Sequence, residues 1–195
     1  MAARPATQDR DPRLWTADQF LEFAMTRPDG ERWQLVDGLA MMMVPPNKVH
    51  QRIAANLERS LNDALEANRP ELFAYRESGV RIPGILDFHP QPDVVVLLAD
   101  ATYSYYDDRF FCVAEVRSPT NSAAMIERKL ELYRSHPDNL YCLTIDQDVI
   151  HVALYAREND WTRTDLRSLD DVLTLPAFGH RMKLAEVYAG TPLVG

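Results

Sequence analysis

Two apolar runs that each carry one carboxylate at an end set the tightest limit on the fold of this chain. Pro92-Asp93 opens the first, which continues from Val94 to Leu98. Glu115 closes the second, Phe110-Phe111-Cys112-Val113-Ala114, and is followed by Val116-Arg117-Ser118-Pro119-Thr120. Short runs rich in Val and Phe read as buried strands. Positions 93 and 115 are symmetric about Ser104, so antiparallel pairing of the runs sets Asp93 and Glu115 nearly opposite each other. Like charges there repel, and a buried carboxylate is costly unless paired or metal-bound, so a cation is the natural third member. Oxygen ligands favour magnesium or manganese, and the backbone carbonyl of Val116 is a further candidate oxygen. The plainer alternative is two strand-end carboxylates at the solvent boundary, common in any α/β domain.

The rest of the chain supplies helices to cover such strands. Thr16 is placed to cap a helix from Ala17 to about Thr26, and Arg27-Pro28-Asp29-Gly30 stops it. Asp37-Gly38 between Trp33-Gln34-Leu35-Val36 and Leu39 to Val44 signals a hairpin. A long helix follows from about Lys48 to Asn68, with Ile53, Leu57, Leu61 and Leu65 as one stripe. Strands are expected at Phe73 to Tyr75, Val80 to Ile82, Leu140 to Ile145 and Val149 to Tyr155, with an edge strand at Trp161 to Leu166. A second helix is expected from Ser122 to about Ser135, and Lys183 to Tyr188 forms a short closing helix or turn. This order gives a mixed sheet with helices packed on it, an α/β (α+β) domain. It lacks the regular alternation of a doubly wound nucleotide fold and has no glycine-rich phosphate loop.

The 195 residues suit one domain, 14–195, after a polar lead-in at 1–13 that is expected to be disordered and lacks the apolar core of a signal peptide. No run approaches the roughly 20 apolar residues of a membrane span. Two cysteines, Cys112 and Cys142, lie inside apolar runs and imply no disulfide framework. The cytoplasm is the default location. A net charge of -8 argues against a strong independent DNA binder. It does not exclude a nuclease, because bound metal ions change the local field.

Three further polar residues converge on the same region. Lys129 is four residues after Met125 and four before Tyr133, so it borders the inward stripe of its helix. It either snorkels along an apolar wall or aims its ammonium at the strand-end carboxylates, to orient a water nucleophile or stabilise phosphate charge. Gln34 precedes the Asp-Gly turn, and His50 lies in the first turn of the long helix. Both could face the same cleft, or each could be a hydrogen-bonded polar group at a core edge. Met41-Met42-Met43 reads as packing. No zinc pattern and no Ser-His-Asp arrangement is readable.

As an ordered set these residues resemble the Uma2 family, also called DUF820, of restriction endonucleases. The matching pieces are Trp33-Gln34-Leu35-Val36-Asp37-Gly38, His50, Pro92-Asp93-Val94, Ala114-Glu115-Val116-Arg117-Ser118-Pro119-Thr120 and Lys129-Leu130-Glu131-Leu132-Tyr133. They span approximately Leu14 to Tyr188. The family is similar to the PD-(D/E)XK nuclease superfamily, whose fold is a three-layer arrangement with a central mixed sheet flanked by helices. The resemblance implies that Asp93 and Glu115 bind a divalent metal for DNA phosphodiester hydrolysis. Arg117 stands at the usual lysine position, and Lys129 matches a lysine relocated to the next helix. Where the family usually has glutamate, this chain has Gln34, a neutral and poorer metal ligand that would hold water or tune the site together with His50. Two other classes stay open. One is a catalytically inactive nuclease-fold domain that binds nucleic acid or protein. The other is a structural homo-oligomer with Tyr103, Tyr105 and Tyr106 at an interface. A homodimer would suit cleavage of two strands, and a partner would supply specificity.

Overall fold

A computed structural model describes residues 14–28, 30–100, 102–118 and 122–194. The expected lead-in at 1–13, Asp29 of the first turn and Pro119-Thr120 of the strand-end motif lie outside these residues. In chain order the elements are α1 (Ala17–Met25), β1 (Trp33–Val36), β2 (Leu39–Met42), α2 (Lys48–Asn68), β3 (Leu72–Arg76), β4 (Gly79–Val80), β5 (Val94–Leu98) and β6 (Tyr106–Asp107). They continue with β7 (Cys112–Arg117), α3 (Ala123–Ser135), β8 (Tyr141–Asp146), β9 (Val152–Ala156), β10 (Arg163–Leu166), β11 (Val172–Leu175), β12 (His180–Lys183) and α4 (Leu184–Val187).

The central sheet has six strands in the order β10-β9-β8-β7-β5-β3. Only β7 and β8 run parallel; the other neighbours are antiparallel, so the sheet is mixed as expected. Alternation along the central strands divides two cores. Val94, Val96, Cys112, Ala114 and Val116 pack with Ile53, Leu57, Leu61 and Leu65 of α2. Val95, Leu97, Val113 and Cys142 pack with Ile126, Leu130 and Tyr133 of α3. Helix, sheet and helix thus form three layers, and strands covered on both faces read as unbroken apolar runs. Leu57 and Leu61 are fully buried, so truncating either to Ala removes about 2–5 kcal/mol of stability.

Local chemistry fixes the elements that carry the site. Thr16 and Gln19 form a reciprocal capping box on α1. Asn47 Oδ1 accepts from His50 N at 2.9 Å and starts α2. Asp37 and Gly38 both take positive φ, 49° and 76°, as a tight hairpin turn requires. Arg128 of α3 clasps the Asp37 carboxylate at 2.9–3.0 Å and ties that hairpin to the second helix. On the sheet's outer edge, Asn62 of α2 pairs with the backbone of Ala74 in β3, accepting from its N–H at 2.7 Å and donating to its carbonyl at 3.0 Å.

The structure also departs from the sequence reading. β5 and β7 are antiparallel neighbours, but the segment between them is more than a turn: its two-residue β6 pairs in parallel with β4. β9 starts at Val152 rather than Val149, because Asp146 N bonds His151 O at 3.0 Å and bends the preceding residues. The β11–β12 hairpin is absent from the sequence reading; its four-residue strands carry too little periodic signal. Of the three tyrosines expected at an interface, Tyr106 is half-buried, since the Arg81 guanidinium stacks 3.7 Å from its ring centre and His89 packs against the ring. Tyr103 and Tyr105 are exposed. Of the three methionines, Met41 packs against the α3-side core, whereas Met42 is 60% exposed.

Candidate functional site

The β5–β7 register decides which face receives the carboxylates. Val94 pairs with Ala114, and one more step sets Asp93 across from Glu115. Residues of this parity, Val95 and Val113, face α3, so both acids reach that side. Helix α3 meets them with Lys129 and Tyr133, one turn apart on the face that also buries Ile126 and Leu130. Glu115 Oε1 lies 2.5 Å from Lys129 Nζ and accepts from the Tyr133 hydroxyl at 2.8 Å. Glu115 is 5% and Lys129 3% exposed, so the lysine does not snorkel to solvent. Asp93 Oδ2 accepts from Val116 N at 2.6 Å, and Asp93 Oδ1 lies 2.9 Å from His50 Nε2.

Burial drives the electrostatics here. It raises the Glu115 carboxyl above its ordinary value; the Lys129 ammonium pulls the other way, and the Asp93 charge adds to the rise. Burial, then Glu115, pushes the Tyr133 phenol well up, so it keeps its proton and acts as a donor. The result is a desolvated acid held by a cation and a neutral phenol, both on one of its two oxygens.

Asp93, Glu115, Val116, Lys129 and His50 line a cleft of about 510 Å³ together with Gln34, Gln147 and residues 41–46, from β2 toward α2. The cleft thus brings together every residue singled out from the sequence: Asp93, Glu115, Val116, Lys129, Gln34 and His50. The structure adds two. Tyr133 reads from the sequence only as part of the apolar stripe and the resemblance motif. Gln147 has no signal of its own there, although it lies just past β8, the parallel neighbour of the Glu115 strand. Arg117 is directed into a different network, with two bonds to Asp146 at 2.7 and 2.8 Å. Asp146 is in turn 2.6 Å from His151 Nδ1.

The oxygen atoms Oε1 of Gln34 and of Gln147 are buried and have no hydrogen-bond partner. Such orphans are rare and call for a physical reason. Like Asp93 and Glu115 they line the cleft and offer oxygens, the donor type that suits magnesium or manganese rather than zinc. Among the described residues no group of three or more His, Cys, Asp or Glu gathers as a metal cluster. A hard cation here would therefore depend on the amide and backbone oxygens as well as on the two acids.

The family model named Uma2, described as "Putative restriction endonuclease", matches residues 17–185. A crystal structure from Anabaena variabilis ATCC 29413, described as "a putative nuclease belonging to DUF820", is similar with a TM-score of 0.71. The likeness covers 90% of this chain and 98% of that one at 15% identity, and so concerns the fold. No curated protein matches the chain.

Proposed function

The chain belongs to the Uma2 family, within the PD-(D/E)XK-related nucleases, and on that premise we propose that it is a divalent-metal-dependent endonuclease hydrolysing DNA phosphodiester bonds. The observation that carries this reading is the Glu115–Lys129 contact, made between a strand end and the next helix and facing the same cleft as Asp93. Asp93, Glu115 and the Val116 carbonyl would hold magnesium or manganese. When bound, the metal supplies Lewis-acid polarisation of the phosphate and a more acidic water.

The side chains do the remaining work. Lys129 holds the attacking water and counters negative charge on the phosphate. Tyr133 and Lys129 fix the Glu115 carboxylate in one rotamer. His50 and Val116 N fix Asp93. Gln34 offers a neutral oxygen where the family usually offers a charged one, so it tunes the site without adding to its charge.

Purified protein incubated with supercoiled and single-stranded DNA tests the reading, with manganese or magnesium and with chelator. Metal-dependent cleavage that Glu115→Ala and Lys129→Ala abolish is the expected outcome. Unimpaired cleavage by Glu115→Ala would be fatal to the assignment. A second reading, a catalytically inactive domain that binds nucleic acid or protein, draws on Gln34 and on the net charge of -8. It predicts neither cleavage nor metal binding. A cytoplasmic setting, a homodimer and a specificity partner belong to the nuclease reading as proposals. No helix among the described residues is long and apolar enough to cross a membrane.

A further inference from the structure

The cleft holds more acceptors than the protein's own donors serve. Lys129 and Tyr133 are engaged with Glu115, and His50 Nε2 and Val116 N with Asp93. The Oε1 atoms of Gln34 and Gln147 are left over. Gln147 is the sharper case. It is 5% exposed, and its backbone N–H is pinned to Arg117 O at 3.1 Å, two residues beyond Glu115. A buried acceptor without a donor loses its water and gains nothing in return. Unserved buried oxygens are complementary to a cation.

We propose that Gln147 is a binding residue of this cleft, giving its amide oxygen to the divalent cation that Asp93 and Glu115 hold. The inference rests on the metal-dependent reading above. A neutral oxygen adds a ligand without adding repulsion between the two acids, and it offsets the absence of a carboxylate at Gln34. A carboxylate at position 147 would serve a cation at least as well, but it would not serve a ligand that needs an amide N–H.

Calorimetric titration of manganese into the wild type, Gln147→Ala and Gln147→Glu tests this, with thermal melts in chelator and in manganese. Gln147→Ala is expected to weaken manganese binding about tenfold and to reduce the melting shift that manganese produces. In chelator it should melt no lower than the wild type, because the unpaired acceptor is gone. Gln147→Glu is expected to bind at least as tightly as the wild type. Wild-type affinity in Gln147→Ala, or weaker binding in Gln147→Glu, overturns the role of Gln147 while leaving the metal site standing. A wild type that binds no manganese overturns the metal-dependent reading and this inference with it. Should Gln147→Ala fail to fold, the Gln147→Glu titration decides alone.

Discussion

Two networks of acids and bases occupy the central sheet, and they are finished to different degrees. At the cleft, Glu115 is buried with Lys129 and Tyr133 on one oxygen, and its carboxyl is raised by desolvation. Toward the β10 edge, Asp146 takes Arg117 and His151, and His151 reaches on to Asp165 at 2.6 Å. Asp165 is lowered to about 2, first by its bond to His151 and then by Arg163, and its side chain is 35% exposed. The edge network opens to water at Asp165 and has its partners supplied, so it ties β7, β8 and β10 together. The cleft network is dry, one acid is held against its preference for water, and nearby acceptors go unserved. Desolvation without full compensation is what leaves free energy for a ligand to recover.

The comparison can be broken at its strongest point first. Lys129→Met leaves a buried acid without its cation, and a loss of about 3–5 kcal/mol in urea unfolding is expected at pH 8. The sign with pH comes from the raised carboxyl. A folded-state value above 4.5 means that Glu115 favours folding most below 4.5 and loses that contribution as pH rises through the folded value. Removing Lys129 takes away the influence that lowers that value, so the penalty should be smaller at pH 5 than at pH 8. Equal losses at both pH values would show that the pair is not electrostatic. Next in size is Tyr133→Phe, which deletes one bond to the same acid. About 1.5–3 kcal/mol should be lost, with slower cleavage, and a phenylalanine variant as stable as the wild type would contradict the geometry.

The smallest effect is expected in the finished network. Asp165→Asn should leave cleavage within about twofold of the wild type and cost under about 1 kcal/mol at pH 7, the range of solvent-screened pairs. Asp165 has a depressed carboxyl, so its stabilisation is present above 3.8 and lost as pH falls through about 2. Wild-type and variant stabilities should converge there. A large loss of cleavage in Asp165→Asn would mean that the two networks are coupled and that the distinction drawn between them fails.

The sequence spoke most clearly where side chains repeat with a period. The stripe from Ile53 to Leu65 predicted α2 with the observed ends, and the symmetry of positions 93 and 115 predicted the β5–β7 register. Lys129 was legible as an inward residue because it borders Met125 and Tyr133 at helical spacing. Legibility failed where the proposed site depends on one atom rather than a pattern. Nothing in the sequence distinguishes the Tyr133 hydroxyl from a packed ring, or the Gln147 amide from a surface polar group. The one available signal for Gln147 is its place immediately beyond the strand beside Glu115, since adjacent parallel strands end on the same side. The two-residue strands β4 and β6 are set by tertiary contacts, including Gly79, where a Cβ would come within 2.7 Å of His89 and of the Tyr105 backbone.

Asn62 has a consequence for how copies of this protein can meet. An unpaired border strand is a template on which another polypeptide can extend a sheet, in ordered assembly or in aggregation. At Ala74 the outward N–H and carbonyl are both engaged by a side chain of α2. A second molecule could not add a strand there without first displacing the Asn62 side chain. Pairing of two copies by continuing the sheet through β3 is therefore disfavoured at Ala74.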